Sequence, residues 1–314
     1  MKFKWKPLIV ILVSLVVWNV SADSPEYITI GTFNIQCFGE TVNPARVANL
    51  AKICRDVDLL AIQEVHPDGA DAVAELAEAM GVGYRWAVSD VTTWERFAFI
   101  WRHPVTLQNG PYLLDVPKLG RRPFFAAFQA GNFQFEIVNM HLFFDGSKKT
   151  YPHHRSVEFK LLDDWLCYRE DQMLSLVLVG DFNAPGLFYG TQFPPPLSAA
   201  YFFYEFLCRH NLISVTLDAG VPTSIMNNNI YDHIIFNPSK YFVPEFAGQE
   251  LVEIVCWERD WISKKQDVLD WDSYQKARKA ISDHRLVKAK FRMDLPAKRV
   301  VEDEKPDDES TKSN

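Results

Sequence analysis

Hydrophobic positions alternate with polar ones in several short runs and recur at helical spacing in others, so strands and helices interleave along the chain. Residues 27–34 alternate and are rich in β-branched side chains, which predicts a strand. Residues 44–55 set apolar side chains at helical spacing behind Pro44, a helix-start signal. Residues 58–65 read as a buried strand with a polar tip at Gln63 and Glu64. A second amphipathic helix is predicted over 70–80, closed by Gly81, followed by strands over 84–89 and 96–101. Residues 124–130 and 133–139 flank Gly131 and Asn132 and predict a hairpin. A helix over 156–170 precedes a buried strand over 174–179 that runs into Gly180, Asp181, Phe182 and Asn183. A loop over 188–197, an aromatic-rich core helix over 199–210 and late strands over 230–236 and 287–291 complete the pattern. Each half thus carries strands with helices between them, which suits an α/β arrangement of two packed sheets with helices on the outer faces.

The two ends differ from this pattern. Lys2, Lys4 and Lys6 precede a nearly unbroken apolar run over 8–20, and Val20, Ser21 and Ala22 then stand before Asp23. That is the layout of a signal peptide over 1–22, with export to a periplasm or the outside. The apolar run is short against the roughly 20 residues that span a bilayer, so no stable membrane association is expected after cleavage. Residues 296–314 are charged and almost free of large apolar side chains, the composition of a disordered tail. Residues 23–295 read as one catalytic domain, because no Gly- or Ser-rich linker divides them, and a monomer is the simplest assembly.

Composition narrows the function. With 48% hydrophobic residues the chain can bury a sizeable core, and a net charge of −7 argues against a scaffold that holds nucleic acid by bulk electrostatics. The five cysteines, Cys37, Cys54, Cys167, Cys208 and Cys256, lack metal-binding spacing. They read mainly as small buried residues, with one or two disulfides left open after export.

Candidate chemistry sits where apolar runs end. Asn34, Glu64, His141, Asp181, Asn183, Asp232, Asp283 and His284 all stand at predicted strand tips, where a side chain is held firmly and still reaches a cleft. Carboxylates and amides are hard oxygen ligands suited to Mg²⁺ or Mn²⁺, with Ca²⁺ as a further option. Histidines beside carboxylates suit acid and base work on an oxygen leaving group. Hydrolysis of a phosphodiester uses both.

The stretches Thr32-Phe33-Asn34-Ile35, Ile62-Gln63-Glu64, Gly180-Asp181-Phe182-Asn183, Tyr231-Asp232 and Ser282-Asp283-His284 resemble, in order, the motifs of the endonuclease/exonuclease/phosphatase superfamily. Phe38-Gly39-Glu40-Thr41, Glu95-Arg96-Phe97 and Arg122-Pro123 are similar to the deoxyribonuclease I family within it. The resemblance implies a four-layer α/β sandwich of two mostly antiparallel sheets flanked by helices. It implies Glu64 as metal ligand with Asn34 and Asp283 near it. His141, oriented by Glu95, and His284, oriented by Asp232, would form an acid/base pair. Asp181 and Asn183 would position the phosphate and its metal shell, and Arg122 would contact substrate phosphate. The implied reaction is in-line attack of water on DNA, with RNA as a further substrate, leaving a 5′-phosphate.

The chain departs from that family at several places. His66 stands where the family has Arg and Thr93 where it has Tyr, the two side chains that enter the DNA minor groove. Gly186 and Asn229 replace the cysteines of its disulfide, and His233 replaces an Arg. The loop after His141 carries Lys148, Lys149, His153, His154 and Arg155. Lys148, Lys149 and Arg155 either grip substrate phosphate or belong to an ordinary solvated loop. A phosphodiesterase or phosphatase acting on a phospholipid or small phosphoester would share the same core, as would an inactive binding module. The full ligand set argues against the inactive module. Val179 and Ala184, where inositol phosphatases carry Trp and Arg, argue against that branch.

Overall fold

The computed structural model describes residues 27–41, 43–144, 154–169, 175–184, 198–225, 229–239, 243, 245–260 and 271–295. The expected leader, the charged tail, the loop over 188–197, Lys148, Lys149 and the side chain of Arg155 lie outside the described residues.

One sheet comprises β1 (Tyr27–Phe38), β2 (Leu59–Val65), β3 (Arg85–Val88), β4 (Arg96–Trp101), β11 (Val252–Val255) and β12 (Leu286–Arg292), in the order β11-β12-β1-β2-β4-β3. The other comprises β5 (Thr106–Leu113), β6 (Phe124–Ala130), β7 (Phe133–His141), β8 (Leu176–Asp181), β9 (Ile213–Ser214) and β10 (Asp232–Phe236), in the order β5-β6-β7-β8-β10-β9. Each sheet has a single parallel pair, β1 with β2 and β7 with β8, and is antiparallel elsewhere. The helices are α1 (Pro44–Cys54), α2 (Ala70–Met80), α3 (His154–Arg169), α4 (Ala199–Arg209), α5 (Val215–Ala219) and α6 (Trp271–Ala280).

Three apolar layers hold this four-layer sandwich together. Ile28, Ile30, Leu59, Phe99, Phe124, Val179, Ile234 and Phe291 pack between the sheets. Phe33, Leu50, Leu60, Leu76 and Ile281 pack the first sheet against α1, α2 and α6. Val138, Leu178, Phe159, Leu162 and Phe203 pack the second against α3 and α4. Because strand side chains alternate, one parity faces the other sheet and the opposite parity faces helices. Along β8, Val177 and Val179 face the first sheet and Leu176 and Leu178 face the helices. Asp181 continues the inward parity. The same continuation places Asn34 on β1, His141 on β7, Glu95 ahead of β4 and Asp232 on β10. The inter-sheet face is apolar for most of its length and polar at one end, and the site lies there.

Below the site, Gln63 Nε2 donates to Thr32 Oγ1 (3.0 Å) and Asn139 Oδ1 (2.6 Å), and Asn139 Nδ2 donates to the carbonyls of Ile62 (3.0 Å) and Ala98 (3.2 Å). This buried link crosses between the sheets and fixes one strand end against the other.

Gly180 has φ 135°, and a Cβ there would lie 1.9 Å from the Met140 carbonyl oxygen. β8 can therefore run beside β7 up to Asp181 only with Gly at this position. Gly180→Ala is expected to destabilise the protein by about 3 kcal/mol or more, read as a lower urea midpoint. An unchanged midpoint would contradict the tight β7–β8 approach.

Several elements differ from the sequence-based reading. β1 and β7 run past their expected ends at Asn34 and Asn139, because hydrogen bonding to neighbours continues through the polar tips. β5 was not expected, since Gly110, Pro111 and two register shifts hide its alternation. The short β9, β11 and α5, and the mostly polar α6, were also missed. The cysteines are corrected too. No disulfide joins any of the five, and only Cys54 is fully buried, while Cys37 near the end of β1, Cys167 on α3 and Cys208 on α4 are exposed.

Candidate active site

Two imidazoles converge on one carboxylate. His141 Nδ1 lies 2.9 Å from Glu95 Oε2, and His284 Nδ1 lies 2.7 Å from Asp232 Oδ2. Their Nε2 atoms stand 3.5 Å and 3.8 Å from the same Asp181 Oδ2. A carboxylate at Nδ1 holds the proton there, so the reactive nitrogen of each ring is Nε2. Burial disfavours both imidazolium ions, but Glu95 beside His141 outweighs it and raises that pKa. Asp232, with Asp181 and Asp283, does the same for His284 and raises its pKa well above the ordinary histidine value.

The carboxylates are aimed by their own partners. Asp181 Oδ1 accepts the Asn183 backbone N–H at 2.8 Å, and Asn183 Nδ2 donates to the Leu142 carbonyl at 2.8 Å. Asn34 Nδ2 donates to both Asp181 Oδ2 and Glu64 Oε1, each at 3.0 Å. Gln36 Nε2 donates to Asp283 Oδ2 at 2.8 Å. Ser282 Oγ donates to the Asn34 carbonyl at 2.6 Å and accepts from the His284 N–H at 3.1 Å.

Glu64 reaches the site through a bulge. Regular alternation on β2 would send it toward the helices with Leu60 and Ile62. Instead it has φ 58°, and the pairing of β2 with β4 shifts between Ile62 and Val65. A bulge of this kind re-aims a side chain, and a positive φ at Glu is a strained conformation that tends to mark functional positions.

The donor set fits a hard divalent cation. Glu64 and Asp283 are close enough to influence each other. Burial first, and Glu64 besides, push the Asp283 carboxyl above its ordinary pKa although His284 opposes this. Asn34 Oδ1 and Asp283 Oδ1 are buried without a hydrogen-bond partner. Crowded carboxylates with unsatisfied oxygens are what a cation would neutralise. Asp181, Asp232 and His284 also offer atoms within 4.8 Å of one another.

The remaining site candidates separate. Arg122 is exposed two residues ahead of β6 and touches none of these groups through its side chain among the described contacts. Its neighbour Arg121, which the sequence reading passed over, is the buried one. Arg121 Nε stands 3.1 Å from Glu95 Oε1, and its Nη1 donates to the Leu142 carbonyl at 3.2 Å. An Arg-Arg pair ahead of a strand gives no sign of which residue turns inward. His233 points to the helix layer between Phe182 and Phe203, where burial lowers its pKa to about 3 and keeps it neutral. His66 Nδ1 accepts the Asp68 N–H at 3.2 Å on the surface beyond β2.

Residues 31–284 match the endonuclease/exonuclease/phosphatase family. The chain belongs to that family. No curated protein matches it significantly. Its fold is similar to an endonuclease/exonuclease/phosphatase family protein from Bacteroides thetaiotaomicron, at 16% identity and TM-score 0.57, over 86% of this chain and 96% of that one. It is also similar to the human Nocturnin catalytic domain with bound sulfate, at 16% identity and TM-score 0.55, over 85% and 94% of the two chains. A third similar structure is the 3′ phosphatase NExo from Neisseria bound to a product DNA hairpin, at 17% identity and TM-score 0.53, over 84% and 99%.

Proposed function

We propose that this family member is an exported, divalent-metal-dependent nuclease, similar to deoxyribonuclease I, that hydrolyses phosphodiester bonds of DNA. The observation that carries the reading is the convergence of two carboxylate-held imidazoles on Asp181 Oδ2, beside Glu64 and Asp283. Export rests on the leader over 1–22.

Glu64 and Asp283, with Asn34 adjoining, would hold Mg²⁺ or Mn²⁺, which supplies charge stabilisation to the phosphoryl oxygens. The chain's own groups handle the protons. One imidazole, neutral at Nε2, takes a proton from the attacking water. The water oxygen bonds to phosphorus as the P–O bond to the leaving oxygen breaks. The other imidazole, protonated at Nε2, gives its proton to that oxygen. Glu95 and Asp232 stabilise the charged form of each ring without moving from Nδ1. Asp181 stays between the rings, aimed by the Asn183 N–H, and Asn183 positions the phosphate.

The test is a substrate panel: plasmid DNA, single-stranded DNA, RNA, a sphingomyelin vesicle and an inositol phosphate, each with Mg²⁺. Cleavage confined to, or strongest on, nucleic acid is expected. Turnover of the lipid or inositol phosphate with intact nucleic acid would overturn the nuclease reading and move the same chemistry to another phosphoester.

A further inference from the structure

We infer that Trp94, together with Phe144, stacks unpaired nucleobases, so that the substrate is single-stranded or frayed nucleic acid; this rests on the nuclease reading above. Both rings are large and apolar yet exposed beside the site, Trp94 at 59% and Phe144 at 58%.

Trp94 is presented by a tight turn. Thr92 and Glu95 exchange backbone hydrogen bonds of 2.8 Å and 3.2 Å, and the Arg122 N–H donates to Thr92 Oγ1 at 3.0 Å. Thr93 between them has φ 58°, a region that β-branched residues rarely enter. The turn sends Glu95 inward to His141 and leaves the next ring outside. Strain of this kind is kept where the surrounding structure over-determines it, often at binding positions.

The inner side of the indole is already occupied. The Arg121 guanidinium lies 4.8 Å from the Trp94 ring centroid and 4.5 Å from that of Phe143, and the two rings stand 5.6 Å apart. The same guanidinium faces Glu95. The indole is thereby fixed against the group that orients His141. Next to Phe143, Phe144 meets Tyr231 edge-on at 6.2 Å, and Tyr231 lies 6.4 Å from the His284 ring. An aromatic arc therefore runs from the Glu95–His141 side to the His284 side.

The charge pattern points the same way. The chain is net negative, and three arginines near the site are committed inward. Arg121 faces Glu95, Arg96 donates to the carbonyls of Pro67 and Ser89, and Arg46 to those of Gln36 and Ile281. With those charges turned inside, the Trp94 and Phe144 ring faces stand beside the exposed Arg122 as what the described rim offers a nucleotide. Stacking on aromatic side chains is sequence-tolerant and needs bases that are not already stacked in a duplex.

The experiment measures kcat and KM on a single-stranded oligonucleotide and on one of equal length made of tetrahydrofuran abasic units, for wild type, Trp94→Ala, Trp94→Phe and Phe144→Ala. The wild type is expected to favour the base-bearing strand. Trp94→Ala is expected to lower that preference by about tenfold, mainly through KM, and Trp94→Phe to restore most of it. Any damage to Arg121 or Glu95 lowers turnover on both strands alike and leaves the ratio unmoved. An unchanged ratio in Trp94→Ala, with the wild type active, overturns the stacking rim alone. A wild type that nicks plasmid DNA but cleaves neither strand overturns the single-strand inference and keeps the nuclease reading, whereas one that cleaves neither strand nor plasmid overturns both.

Discussion

His284→Ala is expected to lower turnover by about 10²- to 10⁴-fold, and His141→Ala by a similar factor, because each removes one member of the proposed acid/base pair. The two variants are expected to differ in stability. Glu95 keeps Arg121 at 3.1 Å when His141 is removed. Asp232 is fully buried, its Oδ1 has no hydrogen-bond partner, and its Oδ2 faces His284. Removing His284 leaves a buried carboxylate without its cation, a change that costs about 3–5 kcal/mol in comparable pairs. His284→Ala should thus lose both activity and thermal stability, whereas His141→Ala should lose activity and stay close to the wild-type melting temperature. His284→Gln, which can still donate to Asp232, should recover part of the stability and none of the turnover. Thermal melts and single-turnover rates on the three proteins check this. Near-normal rates in either alanine variant would remove that histidine from the acid/base pair.

Glu64→Gln is expected to weaken divalent-metal activation by at least about 10- to 100-fold, the range seen even for residues that only support metal ligands. The physical reason is crowding. Glu64 adds to the burial that raises the Asp283 pKa, so the two carboxylates oppose each other until a cation joins them. The amide relieves that opposition. The metal-free variant should therefore melt at or above the wild-type temperature, and the upward shift on adding Mg²⁺ or Mn²⁺ should shrink. Measuring activity and melting temperature against metal concentration gives both numbers. An unchanged metal titration would take Glu64 off the ligand set.

The strand-end rule made most of the site legible. Apolar alternation on β7, β8 and β10 already assigns His141, Asp181 and Asp232 to the face shared with Val179 and Ile234. The two-sheet sandwich followed from the same alternation with helices between strands. Other features depend on contacts distant in sequence. The bulge that turns Glu64 inward contradicts simple alternation and leaves no local mark. Arg121 becomes buried because Glu95 and the Trp94 and Phe143 rings meet around it, from segments that are separate along the chain. The strain at Thr93 is likewise set by tertiary contacts, since nothing in its own residue type favours a positive φ. β5, with its Gly and Pro, and the two-residue β9 carry too little periodic signal to be found without their pairing partners.

The most direct test of the account is cleavage of a phosphodiester strand by the purified protein with Mg²⁺, with EDTA, and with Mg²⁺ in the His141→Ala variant. Cleavage by the wild type that is lost both with EDTA and in the variant is the expected result. Cleavage that persists in EDTA, or that survives the loss of His141, would contradict a metal-assisted reaction driven by the paired imidazoles around Asp181.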